Sequence, residues 1–345
     1  FEKLELHTLL GRKRPKRTAK GTGDATDEQK MLELAPHHDL TASVLEYRTL
    51  TKLQSTYVDA LPEAVTPRTG RVHTTYHQTG TATGRLSSSD PNLQNIPIRK
   101  TEGREIRKAF VPEDGWRFLS ADYSQIELRL LAHLSGDEGL LEAFQSGEDI
   151  HRATAARIFK VEPSDVDPTL RSRAKAVNFG VIYGMGPQRL ARETKVDLAE
   201  AKTFIEQYFD NYPKVRAFLD DTVETARETG YVTTLLGRRR YLPELNSTDP
   251  RVRNQAENVA VNTPMQGTAA DLIKLAMLGI DRRLREEGRA SRMLVQIHDE
   301  LLFESPPDEQ EALEALVVEE MVGAMALRVP IVVDTGWGNN WSEAH

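Results

Sequence analysis

The chain has 345 residues, of which 28% are charged and 39% hydrophobic, and it contains no cysteine. That length holds two or three domain-sized units, and the composition excludes a disulfide-stapled scaffold, a thiolate metal site, thiol catalysis, a disordered chain and, since no apolar run nears the roughly 20 residues required, a membrane span. The net charge of −7 argues against a nucleic-acid partner only in aggregate, because residues 305–345 hold eight acids and one base, leaving 44 of each sign in the first 304.

In chain order, no signal peptide is expected, and the opening at Phe1 rather than Met leads to the expectation that a natural N-terminus has been lost. Arg12, Lys13, Arg14, Lys16, Arg17 and Lys20 form a basic run without an acid. Residues 24–61 predict a helical arm, because Leu40, Val44, Tyr47, Leu50, Leu53 and Tyr57 recur at three or four residues, with a break at Pro36. Residues 62–97, rich in Thr, Ser, Gly and Asn, predict loops laid over something polar. A short apolar strand is expected at 116–121, running into Asp122; Ile126, Leu130, Leu131 and Leu134 then mark a helix ended by Gly136.

Helical patterns dominate 137–284, most clearly at 172–183, 198–208, 215–229 and 269–284, with Pro213 and Pro243 as punctuation. A second basic run, Arg238, Arg239 and Arg240, interrupts them. Strands are expected at 293–297 and 301–303, flanking a short polar turn, then a helix over 308–327 and a strand at 331–333. Such alternation predicts a small sheet with helices on one side, an α+β fold. There is no internal repeat or low-complexity tract.

Two carboxylates stand out, Asp122 at the first strand end and Asp299 in the turn between His298 and Glu300. Singly, each reads as a helix cap or turn residue. Jointly, if their strands are neighbours, they could hold a pair of hard cations roughly 4 Å apart, as phosphoryl transfer requires. Arg171, Lys175, Phe179 and Tyr183 recur at steps of four and share one helix face. That face reads either as a solvated basic surface with an aromatic edge or as a bed for a nucleotide, triphosphate on the cations and base on a ring. Gly180, Gly184 and Gly186 would let a substrate approach closely and the helix end pivot.

The segments Thr81 to Ser87, Asp122 to Arg129, Arg171 through Lys175, Asn178 and Phe179 to Gly184, Gln266 to Asp271 and His298-Asp299-Glu300 together resemble, in order and spacing, the motifs of bacterial family A DNA polymerases. The resemblance spans essentially the whole chain and implies an α+β right-hand architecture with an antiparallel palm sheet and helices: thumb at 1–65, palm at 66–125 and 286–345, fingers at 126–285. By that similarity Asp122 and Asp299 bind two Mg2+ ions, with the backbone carbonyl of Tyr123 as a further ligand and Glu300 tuning the site. Arg171, Lys175 and His151 would contact the triphosphate, Phe179 would pack on the incoming nucleotide, and Tyr183 would occupy the templating position before the fingers close. Arg85, Gln94, Asn95 and Gln266 resemble readers of minor-groove acceptors, and His298 a contact to the primer terminus. Expected partners are a primer-template duplex and dNTPs, with a monomeric protein in the bacterial cytoplasm, associated with the nucleoid.

The basic run from Arg12 to Lys20 falls where the thumb tip would meet the duplex but lacks an aromatic residue. No Asp is followed two residues later by Glu, so the proofreading motif of the family's exonuclease domains is not expected in this chain. A single-subunit RNA polymerase, a catalytically dead duplex-binding protein and a Mg2+-dependent nuclease are the competing readings. Glu127, five residues beyond Asp122, resembles a steric gate against a ribose 2′-hydroxyl and separates the first; the intact acids and the cationic stripe separate the others.

Overall fold

The computed structural model describes residues 4–6, 8–11, 26–97 and 101–345. The basic run from Arg12 to Lys20 lies outside them. The expected helical arm is present in pieces: α1 (Glu28–Leu34), a tight turn at Ala35–His37, α2 (Asp39–Leu53), a wide turn at Gln54–Val58 and α3 (Ala60–Glu63). Pro36 sits in the tight turn and His38 restarts the helix by accepting from the backbone N–H of Leu40. Short strands then punctuate the loop region, β1 (Val65–Thr66), β2 (Arg71–Val72), β3 (Thr75–His77) and β4 (Ser87–Ser89), followed by α4 (Thr101–Lys108).

Next come β5 (Arg117–Tyr123), α5 (Ile126–Ser135), α6 (Glu138–Gln145), α7 (Ile150–Phe159), α8 (Pro168–Ile182), α9 (Pro187–Thr194), α10 (Leu198–Asn211) and α11 (Pro213–Thr229). A hairpin of β6 (Tyr231–Thr233) and β7 (Arg239–Tyr241) leads to α12 (Pro250–Glu286), then β8 (Arg292–Ile297), β9 (Glu300–Ser305), α13 (Gln310–Gly323), β10 (Val333–Gly338) and α14 (Trp341–Ala344). Several expected bounds need correcting; among them, α13 ends at Gly323 rather than at 327. Helix α8 starts four residues early, because Asp167 caps it and Pro168 occupies its first position. Helix α12 starts nineteen residues early and runs through Pro264, because Ala256, Ala260, Val261 and Met265 are buried though they form no obvious apolar stripe. The last strand is not at 331–333 but begins at Val333, where pairing with Tyr123 starts. Its polar segment Asp334-Thr335-Gly336 gives no apolar signal; backbone pairing makes it a strand.

The chain divides into two compact units. One comprises the described residues within Phe1–Thr75 and Asp90–Ile106; the other comprises Tyr76–Ser89 and Arg107–His345. The first contains α1 to α3, with Leu6, Met31 and Leu34 as its core. In the second, a four-stranded antiparallel sheet has the order β10-β5-β9-β8. Strand β9 is buried along its whole length, as an inner strand covered on both faces must be. Leu119, Leu301 and Phe303 of the sheet share one core with Leu272, Ile273, Ala276 and Ile280 of α12 and Leu313, Leu316, Val317 and Met321 of α13. Each such large side chain contributes about 1.5–3 kcal/mol on burial, so this core fixes the sheet from which the candidate acids project. Among the described residues no helix is long and apolar enough to cross a membrane.

Candidate active site

Sheet register brings Asp122 and Asp299 together. Asp122 is the penultimate residue of β5, and Asp299 closes the two-residue turn between β8 and β9, in which His298 takes a positive φ of 55°. The backbone N–H of Tyr123 donates to the carbonyl of Asp299 at 3.1 Å, so the two acids stand one residue apart across adjacent strands. Asp122 also lies directly opposite Glu300 on one side and Asp334 on the other, an acidic row across three strands. Like charges opposed in this way destabilise one another. Burial, then the neighbouring Asp299 and Glu300, push Asp122 up to about 7, and burial likewise raises Asp299.

Glu300 behaves differently. Its Oε1 accepts from the Ser120 hydroxyl at 2.8 Å and from Trp341 Nε1 at 3.2 Å, while His345 and Arg107 lie 3.5 and 4.0 Å from Oε2. Burial opposes its charge, but these contacts hold it below the usual carboxylate range. Its oxygens are committed to the protein. Among the described residues, no group of three or more His, Cys, Asp or Glu forms a ready-made metal cage.

Each residue of the α8 stripe has a neighbour. Arg171 Nε donates to Asp149 Oδ2 at 2.7 Å, while Oδ1 of the same carboxylate caps α7 through the N–H groups of His151 and Arg152. Lys175 Nζ lies 6.0 Å from the centre of the Phe179 ring, and Phe179 stacks on Tyr183 with 6.4 Å between ring centres and planes 13° apart. His151 sits 5.8 Å from Phe179 with its Nδ1 3.0 Å from Asn178 Nδ2. It is only 3% exposed, and burial lowers its pKa to about 4, so the ring is neutral at ordinary pH. A neutral ring in that position can donate one hydrogen bond but brings no charge to a phosphate.

Glu127, in the first turn of α5, joins this stripe to the acids. Its Oε1 accepts from Arg85 Nη2 at 2.6 Å and its Oε2 from the Tyr183 hydroxyl at 2.8 Å. Burial raises the Glu127 pKa, although both partners favour its anion. Arg85 also approaches Asp299 Oδ1 at 3.9 Å, and its Nε is buried with no hydrogen-bond partner. Such an unpaired donor is costly unless a ligand accepts from it.

Of the remaining sequence-derived candidates, His298 is exposed at the β8–β9 turn beside Asp299. Gln266 lies on α12 next to Gly267, where an added Cβ would stand 3.3 Å from the Thr83 carbonyl, close to the Arg85 loop. Gln94 and Asn95 belong to the other compact unit, in a short helical turn capped by Asn92, with the Asn95 carbonyl accepting from Tyr57. Sequence reasoning missed Asp149, the partner of Arg171, and Asp334, the neighbour of Asp122. Asp149 carried a usable signal as an acid just before a helical pattern; Asp334 carried none, because only sheet pairing places it.

The model of DNA polymerase family A matches residues 1–343 of this chain. DNA polymerase I of Caldicellulosiruptor bescii is 49% identical over 343 residues, which cover 99% of this chain and 39% of that protein. The thermostable DNA polymerase I of Thermus thermophilus is 54% identical over 324 residues, covering 94% of this chain and 39% of its own length. Among solved structures, the POL domain of Pol1 from M. smegmatis in complex with DNA primer-template and dNTP superposes with a TM-score of 0.90 at 48% identity, covering 96% of this chain and 58% of that one. This chain therefore spans well under half the length of either curated relative. The helical and antiparallel architecture agrees with the α+β right-hand fold expected from the motifs, and with a match running from end to end the chain belongs to DNA polymerase family A.

Proposed function

We propose that this chain is a template-directed DNA polymerase that adds dNTPs to a primer 3′-hydroxyl and releases pyrophosphate. The observation that carries this reading is the convergence, within one unit, of two repelling carboxylates with a cationic and aromatic helix face, joined through Glu127. The four strands of the sheet come from the two ranges assigned to a palm, 66–125 and 286–345, and α5 to α11 from the fingers range 126–285, while α12 of that range packs on the sheet and residues 66–75 and 90–106 group with the first unit; residues 1–65 are the thumb in the same reading.

The donor set fits two Mg2+ ions. Asp122 and Asp299 are hard oxygen donors whose mutual repulsion a divalent cation relieves, and Mg2+ needs only one or two carboxylates when substrate phosphates and water complete its shell. When bound, the ions supply activation of the 3′-hydroxyl and neutralisation of charge at the α-phosphate and pyrophosphate. Asp122, Asp299 and the carbonyl of Tyr123 would hold them. Arg171 exchanges Asp149 for the triphosphate, Lys175 neutralises a further phosphate oxygen, and His151 donates a neutral hydrogen bond. Phe179 stacks on the incoming base, and Tyr183 vacates its place on Phe179 as α8 moves toward the site. Arg85 and Gln266 donate to the acceptors that every correct pair presents in the minor groove, and His298 contacts the primer end; Gln94 and Asn95 are minor-groove readers contributed by the other unit on its own.

Primer extension tests the reading directly. With Mg2+ and dNTPs the primer should lengthen; Asp122→Ala or Asp299→Ala should abolish extension while leaving duplex binding largely intact, because phosphate contacts supply most affinity. Extension with rNTPs alone, or shortening of the substrate by the unmodified protein, would identify an RNA polymerase or a nuclease instead.

A further inference from the structure

Asp271 closes the Gln266 to Asp271 motif, yet nothing in the proposed chemistry uses it. It is buried on α12 and both carboxylate oxygens are engaged. Oδ1 accepts from Arg238 Nε at 2.9 Å and from Nη2 at 2.7 Å; Oδ2 accepts from the Thr234 hydroxyl at 2.7 Å. Thr234 Oγ1 in turn accepts from the backbone N–H of Arg238 at 3.2 Å. One carboxylate thus fixes both the side chain and the backbone of Arg238 in the turn between β6 and β7.

The fixed guanidinium lies against Gly84. A Cβ added at Gly84 would stand 2.6 Å from Arg238 Nε, and Gly84 has a φ of +82°, so the turn needs glycine for space and for conformation. From α12, one turn beyond Asp271, Lys274 donates through Nζ to the Gly84 carbonyl. That carbonyl belongs to the peptide joining Gly84 to Arg85, so the bond sets the plane from which Arg85 departs. Thr81 Oγ1 closes the loop by donating to the Arg85 carbonyl at 2.6 Å.

We propose that Asp271, Arg238 and Lys274 are positioning residues for Arg85, holding the Gly84 turn so that the Arg85 guanidinium stands between Glu127 and Asp299 and meets the minor-groove edge of the primer-terminal pair. The target of Arg85 rests on the polymerase reading above; the positioning itself does not. Placing such a group by its surroundings matters because a small displacement from the productive geometry slows a reaction far more than the strength of a single hydrogen bond would suggest.

The test uses Asp271→Asn, which keeps shape and weakens the Arg238 clamp, and Lys274→Met, which keeps bulk and removes the donor to Gly84. In protein labelled with 15N-arginine, the Nε–H resonance of Arg85, assigned by its loss in Arg85→Lys, should move in both variants; an unmoved resonance in both overturns the proposal. Single-turnover extension is then compared on primers ending in dG and in 3-deaza-dG, which lacks the minor-groove acceptor. The unmodified protein should slow on the analogue by on the order of tenfold, and the penalty should shrink to within about twofold in both variants, as in Arg85→Ala. Lys274→Arg should restore it. Variants slowed equally on both primers with the full penalty retained have lost only stability, which overturns the positioning role. If the unmodified protein shows no penalty, the minor-groove reading of Arg85 fails and the resonance alone decides the positioning.

Discussion

Tyr183, at the C-terminal end of α8, donates a 2.8 Å hydrogen bond to Glu127 Oε2 in the first turn of α5, so the last aromatic of the α8 face is latched to the residue proposed as the sugar gate. Glu127→Ala should relax exclusion of ribonucleotides by roughly a hundredfold, since a site that rejects a hydroxyl by a buried carboxylate loses that discrimination with it. Tyr183→Phe leaves Glu127 held by Arg85 alone and should reduce the discrimination less. Competition between each dNTP and its ribonucleotide reads both ratios; an unchanged ratio in Glu127→Ala sinks the gate.

Phe179 offers an independent probe of the same pocket. A ring without a hydroxyl cannot replace the hydrogen bond that is missing when a substrate lacks its 3′-hydroxyl, so dideoxynucleotides should be used poorly. Phe179→Tyr should improve their use without admitting ribonucleotides. Lys175→Ala, on the same face, should raise the KM for dNTP by about tenfold or more, the effect of removing one charge-assisted hydrogen bond. Unaltered dNTP kinetics would remove Lys175 from the triphosphate site.

Asp122 makes the stability of the metal-free protein depend on pH. Its folded value of about 7 lies above that of an unfolded aspartate, so the native state binds the extra proton across the window between them. The associated stability is present below about pH 4 and is lost as pH rises through 7. Asp122→Asn should therefore stabilise the protein at pH 8 by on the order of 1–3 kcal/mol and change little at pH 4. Thermal melts in EDTA at the two pH values measure this, and Mg2+ should narrow the difference at pH 8 by satisfying the ionised pair.

His151 acts in the opposite sense. Burial lowers it to about 4, so the unfolded chain takes up a proton that the native state refuses, and its contribution to stability falls as pH drops from about 6.5 toward 4. Its imidazole resonances should stay those of the neutral ring at pH 5.5. A protonated His151 at that pH would show that the ring is wet and that it can offer a charge to phosphate.

Proofreading provides a separate check. With a mismatched primer, Mg2+ and no dNTP, the primer should keep its full length, as expected without an Asp-x-Glu motif. Metal-dependent shortening from the 3′ end by the purified chain, persisting after Asp122→Ala, would locate an exonuclease outside the proposed site.

Sequence alone carried the features that depend on local spacing. Arg171, Lys175, Phe179 and Tyr183 share a face because a helix repeats near every four residues, and Gly136 ends α5 because a left-handed residue is needed there. The motifs around Asp122 and Asp299 were legible for the same reason, as short strings whose residue types fit one chemistry. Tertiary structure decided what those strings meet. Asp122 is opposed by Asp334 and Glu300 only because β10, β5 and β9 pair in that register, and its pKa is raised by burial first, then by the neighbouring Asp299 and Glu300. Glu300, adjacent to Asp299 in sequence, is spent on Ser120 and Trp341. Lys274 reaches the carbonyl of Gly84 across 190 residues of sequence, a contact no periodicity encodes, because hydrogen bonds and charge pairs act through space while sequence patterns report only the local path of the chain.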